Sequence, residues 1–375
     1  MRTLCFILFS LLTSHCETDL ELIANEDEKI SIENTESVDL MDNDIPTNWP
    51  WRGISIKSHN IQNVNENTIE GLKTSGVNAI RLLISAKKFS IKNNLPIEEG
   101  VNLNLDWCEN VIQWCAQNGI VVIIESIDFP LDPSKNFDRT SQDFWESEIE
   151  LNLALNYIKE LVIRFDHFEN VVAYEFMSEP VVRKNGGTEL PMNWHTYFYN
   201  ILNSIRPYSN KYVVFTPGVW GLPKGYRNFT EPIKDDKIIY GFHFYNPHAY
   251  THQGIKERED LYSYPGLINQ KYWDKNAIRE EISLASNWAK NNNKLVYVGE
   301  FSVVRWAEGK DQYLEDVLNV FEENEISYTY WILNEWIGWD MDYEEVIKGS
   351  KNLIKTSEKT RTREILESFW MRNGQ

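Results

Sequence analysis

Eight short apolar runs, rich in β-branched residues, recur along this chain at 51–56, 77–84, 120–126, 171–177, 211–217, 238–244, 294–301 and 326–333. Most are too continuously apolar for a sheet with one wet face, which suits parallel strands covered on both sides. Helical patterns fall between them, at 66–75, 105–118, 144–165, 194–205, 277–291 and 312–323, and a closing helix is expected within 343–372. Gly76 and Gly119 stand where helix C-terminal caps belong. The fifth crossover, 218–237, carries little helical pattern and reads mostly as loop. Eight strands alternating with helices predict a closed (β/α)8 TIM barrel rather than an open sheet. The barrel occupies 47–375 as one domain, with no internal repeat.

The N-terminal segment reads differently. Arg2 precedes an apolar stretch at 4–12 of the length of a signal-peptide core, and residues 1–16 are assigned as an export leader. The stretch is too short to span a bilayer as a helix, and no later one is long and apolar enough. Cys16 admits a second reading, a lipid-modified cysteine, although His15 departs from the small residue such a site prefers. Residues 17–46 form an acidic tether: from 17 to 44 there are eleven acids against one base, Lys29. Such a segment repels itself and has little to bury, so it is expected to be disordered. Cys108 and Cys115 lie two helical turns apart, about 10 Å, beyond the reach of a disulfide. They read as buried free thiols.

A net charge of −19 argues against nucleic acid or an anionic membrane as partner. Fourteen Trp, eighteen Tyr and seventeen Phe supply flat apolar faces suited to sugar rings as well as to a core.

In such barrels the chemistry sits where the strands end. Glu179 closes the fourth run and Glu300 the seventh, which places two carboxylates on opposite sides of one mouth. A carboxylate there is costly to bury unless partners compensate it. Two facing carboxylates are the equipment of glycosidic hydrolysis, one protonated for the leaving oxygen and one ionised to attack the anomeric carbon. Arg81, within the second run, needs an anionic partner. His243 and Tyr245 point the same way by alternation, so that Arg81 and Tyr245 are placed to hold one carboxylate ionised. Trp331 offers a floor for a sugar ring. Two structural ion-paired carboxylates, a core histidine and a core tryptophan are the plain alternatives.

Taken together, Arg81, Ser178-Glu179-Pro180, His243-Phe244-Tyr245, Gly299-Glu300-Phe301 and Trp331 resemble glycoside hydrolase family 5, the cellulase family, over about 50–339. The resemblance implies a retaining hydrolase of β-glycosidic bonds with no cofactor and no metal, endo-acting on a β-1,4-glucan. It makes Glu179 the acid/base and Glu300 the nucleophile. Two departures stand out. The family's Asn before the acid/base, which hydrogen-bonds the sugar 2-hydroxyl, is Ser178 here. The third strand, usually Asp-Leu-His, is Glu125-Ser126-Ile127, without the imidazole. These departures admit a shifted sugar preference or, alternatively, a carbohydrate-binding barrel with impaired catalysis. A metal-dependent hydrolase built on His243, His248 and His252 is a further rival, weakened by the lack of a His-x-His on the first strand. The partner is a polysaccharide or oligosaccharide and the expected location extracytoplasmic; the sequence leaves endo versus exo action, the oligomeric state and the particular glycan open.

Deleting residues 17–44 is expected to leave the melting temperature unchanged within error. A fall of several degrees in a thermal melt would mean that the acidic segment packs on the barrel.

Overall fold

A computed structural model describes residues 45–126, 129, 138–255, 261–336, 338–343 and 358–374. Residues 1–16, read as an export leader, with Cys16, nearly all of the acidic segment and Ile127 lie outside the described residues. Eight strands close into a parallel barrel: β1 Arg52–Lys57, β2 Ala79–Ile84, β3 Val121–Ser126, β4 Val171–Phe176, β5 Tyr212–Phe215, β6 Ile238–Phe244, β7 Val296–Phe301 and β8 Ser327–Tyr330. Each pairs with its sequence neighbour, and β8 returns to β1 with Arg52 opposite Tyr328. All eight expected strands are present. The last is shorter than its apolar run suggests, because the chain leaves the sheet after Tyr330. Trp331 therefore follows β8 instead of lying inside it.

Caps and breaks set the helices. Asn65 and Thr68 form a reciprocal capping box at the start of Glu66–Thr74, and Asp274 caps Lys275–Asn292. Gly76 and Gly119 take positive φ, 92° and 63°, just beyond helix ends. The single helix expected over 144–165 is two, Gln142–Glu146 and Glu148–Phe165, because Ser147 ends the first and accepts from the Glu150 amide to cap the second. The helix expected from 105 begins earlier, at Ile97, its first turn carrying Glu98 and Glu99 where acids favour a helix N-terminus. The fifth crossover has two short 3-10 turns, Val219–Gly221 and Pro223–Arg227. Of the expected closing helix, Arg361–Trp370 is described. Cys108 and Cys115 are buried free thiols. No helix of the described residues is long and apolar enough to cross a membrane.

The outward faces of the strands pack on the helices in one large apolar layer. Inside, Trp51, Ala79, Val121, Ile123, Ala173, Tyr212, Val214, Ile239 and Tyr297 fill the lower barrel. Above this plug the interior turns polar, with Ser55, Arg81, Glu125, Glu175 and Thr329 all buried. The plug closes the bottom, so polar chemistry is confined to the mouth formed by the strand C-terminal ends.

Barrel closure leaves no slack between β1 and β2. A Cβ at Gly53 would stand 1.8 Å from the Ala79 carbonyl oxygen, backbone that cannot swing aside. Gly53→Ala is expected to cost about 3 kcal/mol, the upper range for overpacking, read as a lower denaturant midpoint. An unchanged midpoint would show that β1 can slide away from β2 freely.

Candidate active site

Arg81 stands fully buried on β2, and its guanidinium reaches three strands. Nε lies 2.7 Å from Glu175 on β4, Nη2 2.6 Å from Glu125 on β3, and Nη1 2.9 Å from Glu300 on β7. One delocalised, permanently charged fork thus answers three carboxylates taken out of water. Glu125 and Glu175 are opposite one another in the β3–β4 register, so neither escapes the other's charge. Burial pushes the Glu125 carboxyl up to about 7; Arg81 opposes the rise, while Glu175 and Glu300 add to it.

Glu300 owes its aim to a bulge. Strict alternation from Tyr297, which faces the interior, would turn Glu300 outward. The register between β7 and β6 slips between Val298 and Glu300, and the extra residue, Gly299, turns Glu300 into the barrel. A side chain at Gly299 would press on His243 Nε2, Arg81 Nε and Glu175. Once inside, Glu300 Oε2 accepts from the Tyr245 hydroxyl at 3.1 Å and lies 3.6 Å from His243 Nδ1. Burial alone would raise its carboxyl, but His243 and Arg81 outweigh burial and hold it below the ordinary carboxylate value. His243 shows the mirror effect: burial would lower it, yet Glu300 and Glu179 raise it.

Glu179 arrives by another route. β4 ends at Phe176, and Met177 takes a left-handed φ of 57°, turning the chain over the mouth. Glu179 Oε1 is 3.3 Å from His243 Nδ1, and Oε2 is 3.1 Å from Arg139 Nη2. The Glu179 side chain is 22% exposed against 10% for Glu300; one carboxylate is enclosed and its neighbour is open to the cleft. One carboxylate oxygen of each and one His243 nitrogen all lie within 4.8 Å of one another. Three such donors have the spread of a cation site, but the Arg81 guanidinium on Glu300 already supplies positive charge there. His248 and His252 stand outside that cluster, their rings stacked on each other with centroids 3.9 Å apart.

Ser178, read as a substrate-binding or pKa-tuning residue, is buried, and its hydroxyl donates to Glu125, whose carboxyl it draws downward against burial. Trp331 is 8% exposed, packed with Leu83 and Ile332 beside Tyr245 and Trp339, and Lys57 Nζ lies 4.4 Å over its ring. Trp339 continues this wall, in contact with Tyr245, His252 and Trp336. Of the residues singled out in the sequence, Arg81, Glu179, His243, Tyr245 and Glu300 lie in contact at the mouth. Sequence reading missed Glu175, although an acid two residues along β4 from inward-facing Ala173 was the anion that Arg81 required. Arg139 had no such signal, since it comes from a connection 40 residues before Glu179.

Removing the cation tests this account. Arg81→Met is expected to cost about 3–5 kcal/mol by stranding buried carboxylates, more at pH 8 than at pH 5. The sign follows from Glu125: its folded-state carboxyl sits above its unfolded value, so it is protonated at pH 5 and needs no cation. With Arg81 present it ionises as pH rises through about 7 and the cation then compensates its charge; without Arg81 that compensation is lost, so the deficit grows with pH. Denaturant midpoints at the two pH values check this; an equal loss at both would show that Glu125 does not titrate there.

Comparison with known proteins agrees with the geometry. The sequence pattern of the family described as Cellulase (glycosyl hydrolase family 5) matches residues 39–336. Endoglucanase C of Acetivibrio thermocellus is 22% identical over 303 residues, 73% of this chain and 85% of that protein. Cellodextrinase A of Ruminococcus flavefaciens is 21% identical over 279 residues, 73% of this chain and 79% of that one. Among solved structures, a hyperthermophilic endo-β-1,4-glucanase in complex with substrate superposes with a TM-score of 0.63 at 21% identity, covering 87% of this chain and 98% of the other. Thermotoga maritima Cel5A in complex with mannotriose gives 0.63 at 18% identity, with 85% and 98% covered. A family match over most of the chain, on a closed barrel with paired carboxylates at its mouth, places this protein in glycosyl hydrolase family 5: it is a glycoside hydrolase, acting on O-glycosyl bonds of a carbohydrate.

Proposed function

We propose that this protein is a retaining, endo-acting β-glucanase with Glu300 as nucleophile and Glu179 as acid/base. The observation that carries the reading is the approach of the two carboxylates within 4.8 Å, close to the roughly 5–5.5 Å of retaining enzymes and short of the 6.5–9.5 Å that an inverting enzyme needs for its water. Glu300, held ionised by His243 and Arg81 and oriented by Tyr245, attacks the anomeric carbon. Protonated Glu179 gives its proton to the departing glycosidic oxygen. Glu179, left ionised, then takes a proton from water as that water displaces Glu300 from the glycosyl-enzyme, and the configuration is retained. His243 touches both carboxylates and couples their charge states.

The relatives named endoglucanase, and the related endo-β-1,4-glucanase structure with substrate, favour a β-1,4-glucan. The run of partly exposed, mutually contacting rings Tyr245, Trp339 and Trp336 would suit stacking against a chain of sugars. The apolar stretch at 4–12, read as the core of an export leader, favours action outside the cytoplasm, where polysaccharide is met.

On a soluble β-1,4-glucan the wild type is expected to release β-anomers first by NMR, with viscosity falling faster than reducing ends appear. Glu300→Gln is expected to abolish turnover, and Glu179→Ala to cut it by about 10²–10⁴-fold, the range for a lost general acid. Initial α-anomers would refute retention, and activity surviving in Glu300→Gln would refute the nucleophile. Binding of glucan without hydrolysis by the wild type would favour the impaired-barrel alternative.

A further inference from the structure

The proposed reaction leaves two buried carboxylates of the mouth, Glu125 and Glu175, without a task, and of the two it is Glu125 that accepts from the residue preceding Glu179. Glu125 has no exposed surface. Its Oε1 accepts the Ser178 hydroxyl, and its Oε2 faces Arg81 Nη2 at 2.6 Å. Ser178 is 2% exposed and directly precedes Glu179. On its other side stands Met177, with a left-handed φ of 57°. A non-glycine residue holds that conformation only where surrounding contacts impose it. The Ser178–Glu125 hydrogen bond is such a contact, tying the turn that presents Glu179 to the rim of β3. Through Arg81 the same carboxylate shares a cation with Glu300.

We infer that Glu125 is a positioning residue for both catalytic carboxylates, and that Ser178 is matched to it in length so that the pair fixes the Met177–Glu179 turn. Neither touches substrate. The inference rests on the roles proposed above for Glu179 and Glu300. An Asn at position 178, introduced to reach toward the sugar, meets a closed space in which Glu125 already sits, so the longer side chain displaces either the turn or the carboxylate. Shortening Glu125 to Asp withdraws the acceptor by about one bond, roughly 1.5 Å, and Ser178 no longer reaches it. The two changes made together restore the combined length.

The test is a double-mutant cycle on a soluble β-glucan, with kcat and KM measured separately. Ser178→Asn and Glu125→Asp are each expected to lower kcat about tenfold or more, since displacement of a reacting group by an ångström is costly, with KM within about twofold. The combined variant is expected to recover to within about threefold of wild type, a strong non-additivity of the kind seen between groups in contact. Ser178→Ala removes the donor without adding volume. It is expected to lower kcat in the same manner while the melting temperature stays within a few degrees, and it decides the matter if Ser178→Asn does not fold. Wild-type kcat in Ser178→Ala, or a double variant whose loss is the product of the two single losses, would overturn the inference. A wild type inert on every glycan would instead overturn the proposed function, and the positioning role with it.

Discussion

The Arg81 guanidinium is the constraint from which the mouth of this barrel is built. Three carboxylates from three strands would repel one another in a space with little water, and a single cation holds them within 3 Å of its nitrogens. Lysine would not substitute well, because a point charge cannot direct separate donors to three acceptors in a plane. The polar layer is possible because the aromatic and aliphatic plug below it, from Trp51 to Tyr297, keeps solvent from entering underneath. The result is one polar interior open on one side.

Within that interior the carboxylates differ because their neighbours differ. Glu300 has Arg81, His243 and Tyr245 about it and is held ionised despite burial. Glu125 shares the same cation but sits deeper, beside Glu175, and its proton is retained up to about pH 7. Glu179 stands at the rim with Arg139 and His243 as partners. Different neighbours thus set Glu300 and Glu125, two like groups on one cation, toward different charge states. His243 is common to Glu179 and Glu300, and burial makes its own charge depend on theirs.

Backbone irregularities aim these groups. Without the slip at Gly299, Glu300 would join the outer layer where Val298 and Phe301 pack on helices. Without the left-handed turn at Met177, the chain after β4 would not fold back across the mouth to His243. The regular barrel supplies rigid strand ends, and two local departures from regularity bring the Glu300 and Glu179 carboxylates together.

Much of this was legible in the residues. Eight continuous apolar runs separated by helical periodicity fix a parallel barrel, because such strands need cover on both faces, and the barrel dictates at which end chemistry occurs. Glu179, Glu300, Arg81, His243 and Tyr245 were readable because each sits at or near the end of a run, where an uncompensated polar group is conspicuous. Other features were decided by the tertiary structure. The bulge at Gly299 depends on which residues of β6 lie opposite. The hydrogen bond of buried Ser178 depends on Glu125, 53 residues earlier, which offers the acceptor. Arg139 reaches Glu179 from a connection with no periodicity of its own. Periodicity in a sequence reports which face of an element is buried, whereas the partner a buried polar group finds is settled by distances between residues far apart in the chain.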